Sequence, residues 1–314
     1  MFDSLYYLLS TSNPNLFFTK WVLIFAILIV IVILYRELNP KKELTEGFHQ
    51  LEPFVSKRNL DAQDSFYAEI YDALHDVKTR NDRELIHMIQ TTNPSVNHSV
   101  FLDVGSRTGN TVNELTLEGY QTYGIEQSKD MIEYSKKLYP NIEVLKGNGL
   151  DPMMFEKKTF THILCNYFNI YSIQDKKRFF QNCYHWMKSG GYLIVHLVDK
   201  NTFERIVPHN EAVANKIQVS SITYKINNKI IFEDYEYKGC FEITEKSNNT
   251  TFIETMTDLN TKHVRQNETN LYMEDLETIV DMAVSTGFIN HAKTDMIGMN
   301  GDENQYIYYF ERPL

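Results

Sequence analysis

Asp103, Gly105 and Gly109, in the stretch VFLDVGSRTGN from Val100 to Asn110, have the spacing with the clearest chemical meaning in the chain. An apolar run ends at an acid, and two glycines then carry the chain through a turn into a helical segment. Turns of this kind bring backbone N–H groups and a helix N-terminus close to a charged ligand. A triphosphate loop needs lysine and then Ser or Thr directly after its last glycine, where this chain has Asn110 and Thr111. A dinucleotide loop beginning at Gly105 needs glycine at the positions held by Arg107 and Asn110. Both loops are excluded, which leaves an acid followed by two glycines four residues apart. Glu126, in YGIEQS, is a lone acid at the end of an expected buried strand, and such a carboxylate needs a partner. His196 and Asp199 lie at the end of a later expected strand. Either suits the positioning or deprotonation of a nucleophile, and a satisfied core histidine is the other reading of His196.

These residues are useful only if a regular scaffold holds them. Strands are expected at Val100–Val104, Thr122–Glu126, Ile142–Leu145, His162–Cys165 and Tyr192–Leu197, with helices at Thr111–Leu117, Met131–Leu138 and Gln174–Met187. Alternation of strand and helix with short connections predicts an α/β fold: a Rossmann-like, mostly parallel seven-stranded sheet with helices on both faces. Ligands of such sheets bind beyond the carboxyl ends of the strands, where Asp103, Glu126 and Asp199 fall. Residues 217–265 break the rhythm and read as inserted antiparallel hairpins turning at Asn-Asn pairs, either as an edge extension of the main sheet or as a separate cover. A helix at Leu276–Ser285 and a final hairpin complete the expected sheet.

The N-terminus has a different character. WVLIFAILIVIVILY, Trp21 to Tyr35, carries no charge, and with LFF upstream it approaches the ~20 residues that span a bilayer. It ends in YRELNPKKE rather than a small-residue cleavage site, so an uncleaved anchor is expected over residues 1–36. Arg36, Lys41 and Lys42 follow it and only Lys20 precedes it, which places the C-terminal domain in the cytosol of a single-pass membrane protein. Residues 37–60 read as a linker and 61–314 as the globular domain. A net charge of −10 argues against a nucleic-acid partner. Cys165, Cys183 and Cys240 lack metal-ligand or disulfide-framework spacing, so no metal is expected.

From about Asp61 onward the chain resembles class I S-adenosylmethionine-dependent methyltransferases. Asp103, Gly105 and Gly109 match the family's first motif, hydrophobic strand followed by Asp-x-Gly-x-Gly-x-Gly, and Arg107 departs from it. YGIEQS, KGNGLD, FTHILCNYFNIYSI and MKSGGYLIVHLVD follow in the family's order. The resemblance implies S-adenosylmethionine as cofactor. Asp103 would attract its ammonium, with Gly105, Ser106 and Gly109 forming the turn, and Glu126 would hold the ribose hydroxyls beside Gln127 and Met131. Asn148 and Gly149 would lie near the adenine, and Cys165, Asn166 and Phe168 at the fourth strand's end. His196, Asp199 and Tyr171 are the catalytic candidates, and Thr161 is read as structural. Arg107 either faces solvent or meets the cofactor's carboxylate; Tyr67 and Tyr71 either cover the cofactor or simply pack. CNYFNIY in place of an Asn-Pro-Pro-Tyr sequence argues against methylation of exocyclic base or glutamine nitrogens. The implied activity is N- or O-methyl transfer to a small molecule, with Tyr224, Tyr235 and Tyr237 in the hairpins as part of a substrate cover. The alternatives are a membrane-proximal lipid or protein as acceptor, and an inactive membrane-tethered scaffold with the same fold.

Overall fold

VFLDV is apolar along nearly its whole length and so can be buried on both sheet faces. In the computed structural model it forms β2, Val100–Val104, an interior strand of a seven-stranded sheet. The structure describes residues 20–22, 24–30, 52–203, 213–220, 223–244 and 247–314. From β2 the chain runs through α3 (Asn110–Leu117), β3 (Gln121–Glu126), α4 (Lys129–Leu138) and β4 (Val144–Lys146) to one sheet edge. It then returns to the other side of β2 with β5 (Phe160–Cys165), the short α5 (Asn169–Ser172), α6 (Lys176–Trp186) and β6 (Met187–Val198). These five strands are parallel to one another. The reversal between β2 and β5 is the point where a sheet of this kind opens a crevice. After α7 (Leu276–Thr286), β12 (Ile289–Asp295) and α8 (Ile297–Asn300), β13 (Gln305–Glu311) inserts antiparallel between β6 and β12.

The expected hairpin region is larger than 217–265 and builds a sheet of its own. β7 (Val213–Ser220), β8 (Thr223–Ile231), β9 (Tyr235–Thr244), β10 (Asn249–Asp258) and β11 (Val264–Tyr272) form an antiparallel meander. Buried and half-exposed residues alternate along β9 and β10, as in a sheet with one face on a core and one toward water. Phe241, Ile243, Phe252 and Leu271 from that face join the core formed by β2, β5 and β6. The Asn227-Asn228 pair, expected to turn, lies inside β8 opposite Cys240 and Gly239. The flanking Ile226, Ile230 and Ile231 favour extended chain, and burial of Ile226 and Ile230 overrides the local turn preference. The turn comes later, where the Phe232 N–H donates to the Tyr235 carbonyl at 2.9 Å.

The expected linker is also shorter than 37–60, because Phe54–Arg58 forms β1, parallel to β11 at the edge of the second sheet. A 3-10 turn at Asn59–Ala62 leads into α1 (Ser65–Leu74), which is followed by α2 (Val77–Thr92). Asp64 caps α1 by accepting the Tyr67 N–H at 3.2 Å, and it binds Arg265 of β11 through both carboxylate oxygens at 2.9 and 3.1 Å. Lys57 of β1 adds a third contact at 2.6 Å. Burial alone would raise the Asp64 pKa, yet Arg265 and Lys57 hold it below the ordinary carboxylate value.

Most of the anchor expected over residues 1–36 lies outside the described residues, as does most of 37–53. Residues 20–22 and 24–30 are helical, and Trp21, Phe25, Leu28, Ile29 and Val30 are exposed there. No helix among the described residues is long and apolar enough to cross a membrane. Residues 1–49 and 50–314 are separate compact units.

Asp64 thus joins α1 to the second sheet. Asp64→Ala leaves the buried Arg265 guanidinium without its carboxylate and removes the cap, and should cost about 3–5 kcal/mol of unfolding free energy in urea titrations.

Candidate active site

The Gly105 turn starts where β2 ends. The N–H groups of Gly105 and Ser106 both donate to the Ile125 carbonyl, at 2.8 and 3.1 Å, which lays the turn against the end of β3. Gly105 has φ +72°, and a Cβ there would lie 2.1 Å from Asn169 Nδ2, whose amide donates to the Val104 carbonyl. No side chain fits that position in this backbone conformation. Arg107 has φ +52°, a left-handed conformation that costs a residue with a side chain energy. The residue that departs from the glycine pattern therefore keeps the backbone conformation glycine favours, and adds a guanidinium. That group lies 5.9 Å from the Tyr71 ring and is not the freely solvated residue of one expectation.

Glu126 fixes the turn from the other side. Its Oε2 accepts the Arg107 N–H at 3.0 Å, and its Oε1 accepts those of Gln127 and Ser128 at 2.7 and 2.9 Å. Ser128 caps α4 and donates its hydroxyl to the Gln63 carbonyl at 2.6 Å, which brings the segment before α1 to the same place.

Three cavities meet at Arg107. The first, about 240 Å³, is lined by Gly105, Glu126, Gln127, Asn148 and Gly149 together with Asn169, Gln63 and Tyr272. The second, about 30 Å³, is lined by Asp103, Gly105, Ser106 and Asn166, with Arg80 of α2. There Ser106 Oγ, Asn166 Oδ1 and Arg80 Nε and Nη1 are buried without a hydrogen-bond partner among the described residues. The Arg80 guanidinium stacks 3.7 Å over the Tyr167 ring, with Glu84 4.0 Å away. Burial, and then the charge of Glu126, raises the Asp103 pKa to about 7. The third cavity lies between α1, the residues after β5 and the second sheet, and Phe168, Tyr67 and Tyr71 line it.

The other expected site residues lie elsewhere. Gly109 faces away from the cavities, toward Ile142 and Ser135, and Met131 and Cys165 are core residues. None of the three catalytic candidates lines any of these three cavities. Tyr171 is fully buried, and its hydroxyl is closed onto Val198, accepting from the N–H at 2.8 Å and donating to the carbonyl at 3.4 Å. His196 accepts the Phe168 N–H at Nδ1, 3.1 Å, and meets Gln305 Oε1 at Nε2, 3.0 Å. Burial lowers its pKa to about 3, so it is a neutral, satisfied core histidine. Asp199 closes a turn by accepting the Asn201 N–H at 3.0 Å. Pairing of β13 with β6 places Gln305 against His196, which the local sequence could not reveal. Thr161 does act structurally, accepting the Val100 N–H at 2.8 Å and donating to its carbonyl at 3.1 Å.

Two charged residues of the cavities, Arg80 and Glu254, lie outside the motifs that the sequence offers. The alternation in TFIETMTD puts Glu254 on the same face as Phe252 and Met256, and an acid on an apolar strand face was the available signal.

Residues 102–195, from β2 through most of β6, match the methyltransferase-domain family. This segment is similar to methyltransferase domains. An uncharacterized methyltransferase from Alkaliphilus oremlandii is 26% identical over 137 residues, covering 43% of this chain and 60% of that protein. A demethylmenaquinone methyltransferase from Chlorobaculum tepidum is 28% identical over 103 residues, covering 32% and 42%. The matches thus span less than two thirds of either relative. A solved S-adenosylmethionine-dependent methyltransferase from Clostridium acetobutylicum superposes with a TM-score of 0.60 at 14% identity, over 79% of this chain and 98% of that one. The CcbJ methyltransferase from Streptomyces caelestis gives 0.58 at 10% identity, over 80% and 99%. The fold over about four fifths of the chain is therefore shared with these structures.

The Asp103 pKa fixes the sign of a pH effect. Between its ordinary value of 3.8 and about 7, the folded chain keeps a proton that the unfolded chain has released. Stability from this group is present at low pH and is lost as pH rises toward 7. Glu84 and Glu254, also raised to about 7 by burial, add the same slope. Asp103→Asn should reduce, without abolishing, the fall in urea-unfolding free energy between pH 5 and pH 8.

Proposed function

We propose that this protein transfers a methyl group from S-adenosylmethionine to a nitrogen or oxygen of a small molecule. The observation that carries the reading is the meeting, beyond β2 and β3, of a glycine turn, a buried acid and a cluster of unpartnered polar atoms. The fit to the cofactor follows residue by residue. Glu126 uses one lone pair of Oε2 and two of Oε1 on backbone N–H groups, which leaves Oε2 able to accept a ribose hydroxyl. Gln127, Asn148 and Gly149 extend the same cavity toward the place of a base. The second cavity suits an amino-acid end, with Arg80 for its carboxylate and Asp103 and Asn166 Oδ1 for its ammonium. A ligand group is what those buried polar atoms lack.

When bound, S-adenosylmethionine supplies an electrophilic methyl carbon on a cationic sulfur. The chain's part is to fix direction and distance and to exclude water. Arg107 lines all three cavities, and the acceptor is placed in the third one in this reading. His196, Asp199 and Tyr171 take no part in it.

Attachment to a membrane with the domain in the cytosol belongs to the same proposal. Its support is the uncharged Trp21–Tyr35 run and the exposure of Trp21, Phe25 and Val30 on the helical residues 20–30 that are described. That placement keeps a membrane-proximal acceptor as the second reading.

Calorimetry with S-adenosylmethionine and S-adenosylhomocysteine should give micromolar binding, and its absence at high micromolar ligand would leave only the inactive scaffold. Arg80→Met should weaken either ligand by about 10- to 150-fold, the value of a hydrogen bond to a charged group. In cell fractionation, deletion of residues 1–36 should move the protein from the membrane pellet to the supernatant, and an unchanged distribution would remove the anchor.

A further inference from the structure

The third cavity combines an apolar aromatic lining with one buried acid. Tyr67 and Tyr71 of α1, Phe168, Phe241 of β9 and Phe252 of β10 surround a space of about 90 Å³. Glu254 of β10 closes its inner end and is 2% exposed. Its Oε1 accepts the hydroxyls of Tyr67 at 2.8 Å and of Tyr237 at 3.0 Å. The cavity shares Arg107 with the two cavities assigned above to the cofactor, so in that reading a ligand inside it lies next to the bound cofactor. The established family match ends at residue 195, before any of the second sheet, so nothing in that match assigns Glu254.

We propose that this cavity takes a small primary or secondary amine as methyl acceptor, and that Glu254 holds its ammonium group and receives its proton. The inference rests on the methyltransferase reading and adds the acceptor's chemical class. A carboxylate buried in an apolar wall repels anionic ligands and is poorly compensated by neutral ones. A cation compensates it, and the faces of Tyr67, Tyr71 and the phenylalanines attract the same charge. Both tyrosine hydroxyls use Oε1, which leaves Oε2 for the ligand. An ammonium nitrogen has no lone pair, so a proton must leave before methyl transfer. The N–H bond breaks and its proton passes to Glu254. The freed pair forms the new N–C bond as the donor's C–S bond breaks, and sulfur keeps that bond's electrons and becomes a neutral thioether.

The surroundings agree with a single proton acceptor there. Burial raises the Glu254 pKa to about 7, against the pull of Tyr67, Tyr237, Arg107 and Arg265. Arg265 is already engaged by Asp64. His75 also lines the cavity, with Nε2 3.3 Å from the Tyr67 hydroxyl and Nδ1 3.3 Å from the Tyr167 hydroxyl. Burial, and then Arg80 and Arg107, hold its pKa well below the usual value, so it stays neutral. Burial and Glu254 push the Tyr67 and Tyr237 hydroxyls up, and burial does the same for Tyr71 and Tyr167, so all four remain protonated donors.

The test measures binding of three probes of one shape, n-butylamine, 1-butanol and butyrate, to the full chain with saturating S-adenosylhomocysteine, by ligand-observed NMR titration. Butylamine should bind at least 10-fold more tightly than the other two, and its affinity should rise from pH 6 to pH 8 as Glu254 ionises. Glu254→Gln should lose that preference and the pH dependence while keeping S-adenosylhomocysteine affinity within about two-fold. Tyr237→Phe, which keeps the carboxylate but removes a donor, should shift the pH midpoint upward. The amine assignment is overturned by equal binding of butanol or butyrate, by no binding of any probe at millimolar concentration, or by a Glu254→Gln protein that binds butylamine as the wild type does. Failure of wild-type protein to bind S-adenosylhomocysteine overturns the underlying methyltransferase reading, and is seen separately in the probe-free titration.

Discussion

The arrangement depends first on one carboxylate and the three backbone amides it accepts. Glu126 collects N–H groups from Arg107 in the glycine turn and from Gln127 and Ser128 at the start of α4. A strand end, a ligand turn and a helix start are thereby held at one point. The charge is buried, and multiple backbone donors are what make such burial tolerable. Because the same turn is also bonded to the Ile125 carbonyl, the loop has little freedom to be anything other than a preformed cradle.

A second constraint shapes what faces that cradle. Asp64 ties α1 to β1 and β11, so the helix carrying Tyr67 and Tyr71 and the sheet carrying Glu254 are positioned by one ion cluster. The Rossmann-like half carries Gly105, Glu126 and Asn166, and α1 and the meander share the opposite wall. Neither half alone encloses the third cavity, whose lining alternates between them.

What the sequence made legible follows the reach of each interaction. β2, β3 and β5 lie in continuous or alternating apolar runs, and the acid-glycine turn and Glu126 sit at their ends, so pattern and spacing within about 30 residues located them. His196 was misleading because the residue that satisfies it, Gln305, arrives on β13 from more than a hundred residues away. β1 was hidden for the same reason: its partner is Val264–Glu268, far along the chain. Asn227-Asn228 carries a local turn preference that strand pairing overrides. Arg80 showed no local signal, since its meaning comes from packing α2 against the turn.

Arg107 has a consequence beyond its departure from the glycine pattern. Arg107 forms part of the wall of all three cavities, so a shift of this residue in one changes the shape of the other two. Ligands at such a junction are thermodynamically linked, and linkage is reciprocal: each alters the other's affinity by the same factor. A glycine at this position would fit the same backbone conformation with no side chain to carry that linkage. The side chain therefore makes the coupling between neighbouring ligands a property of the loop itself.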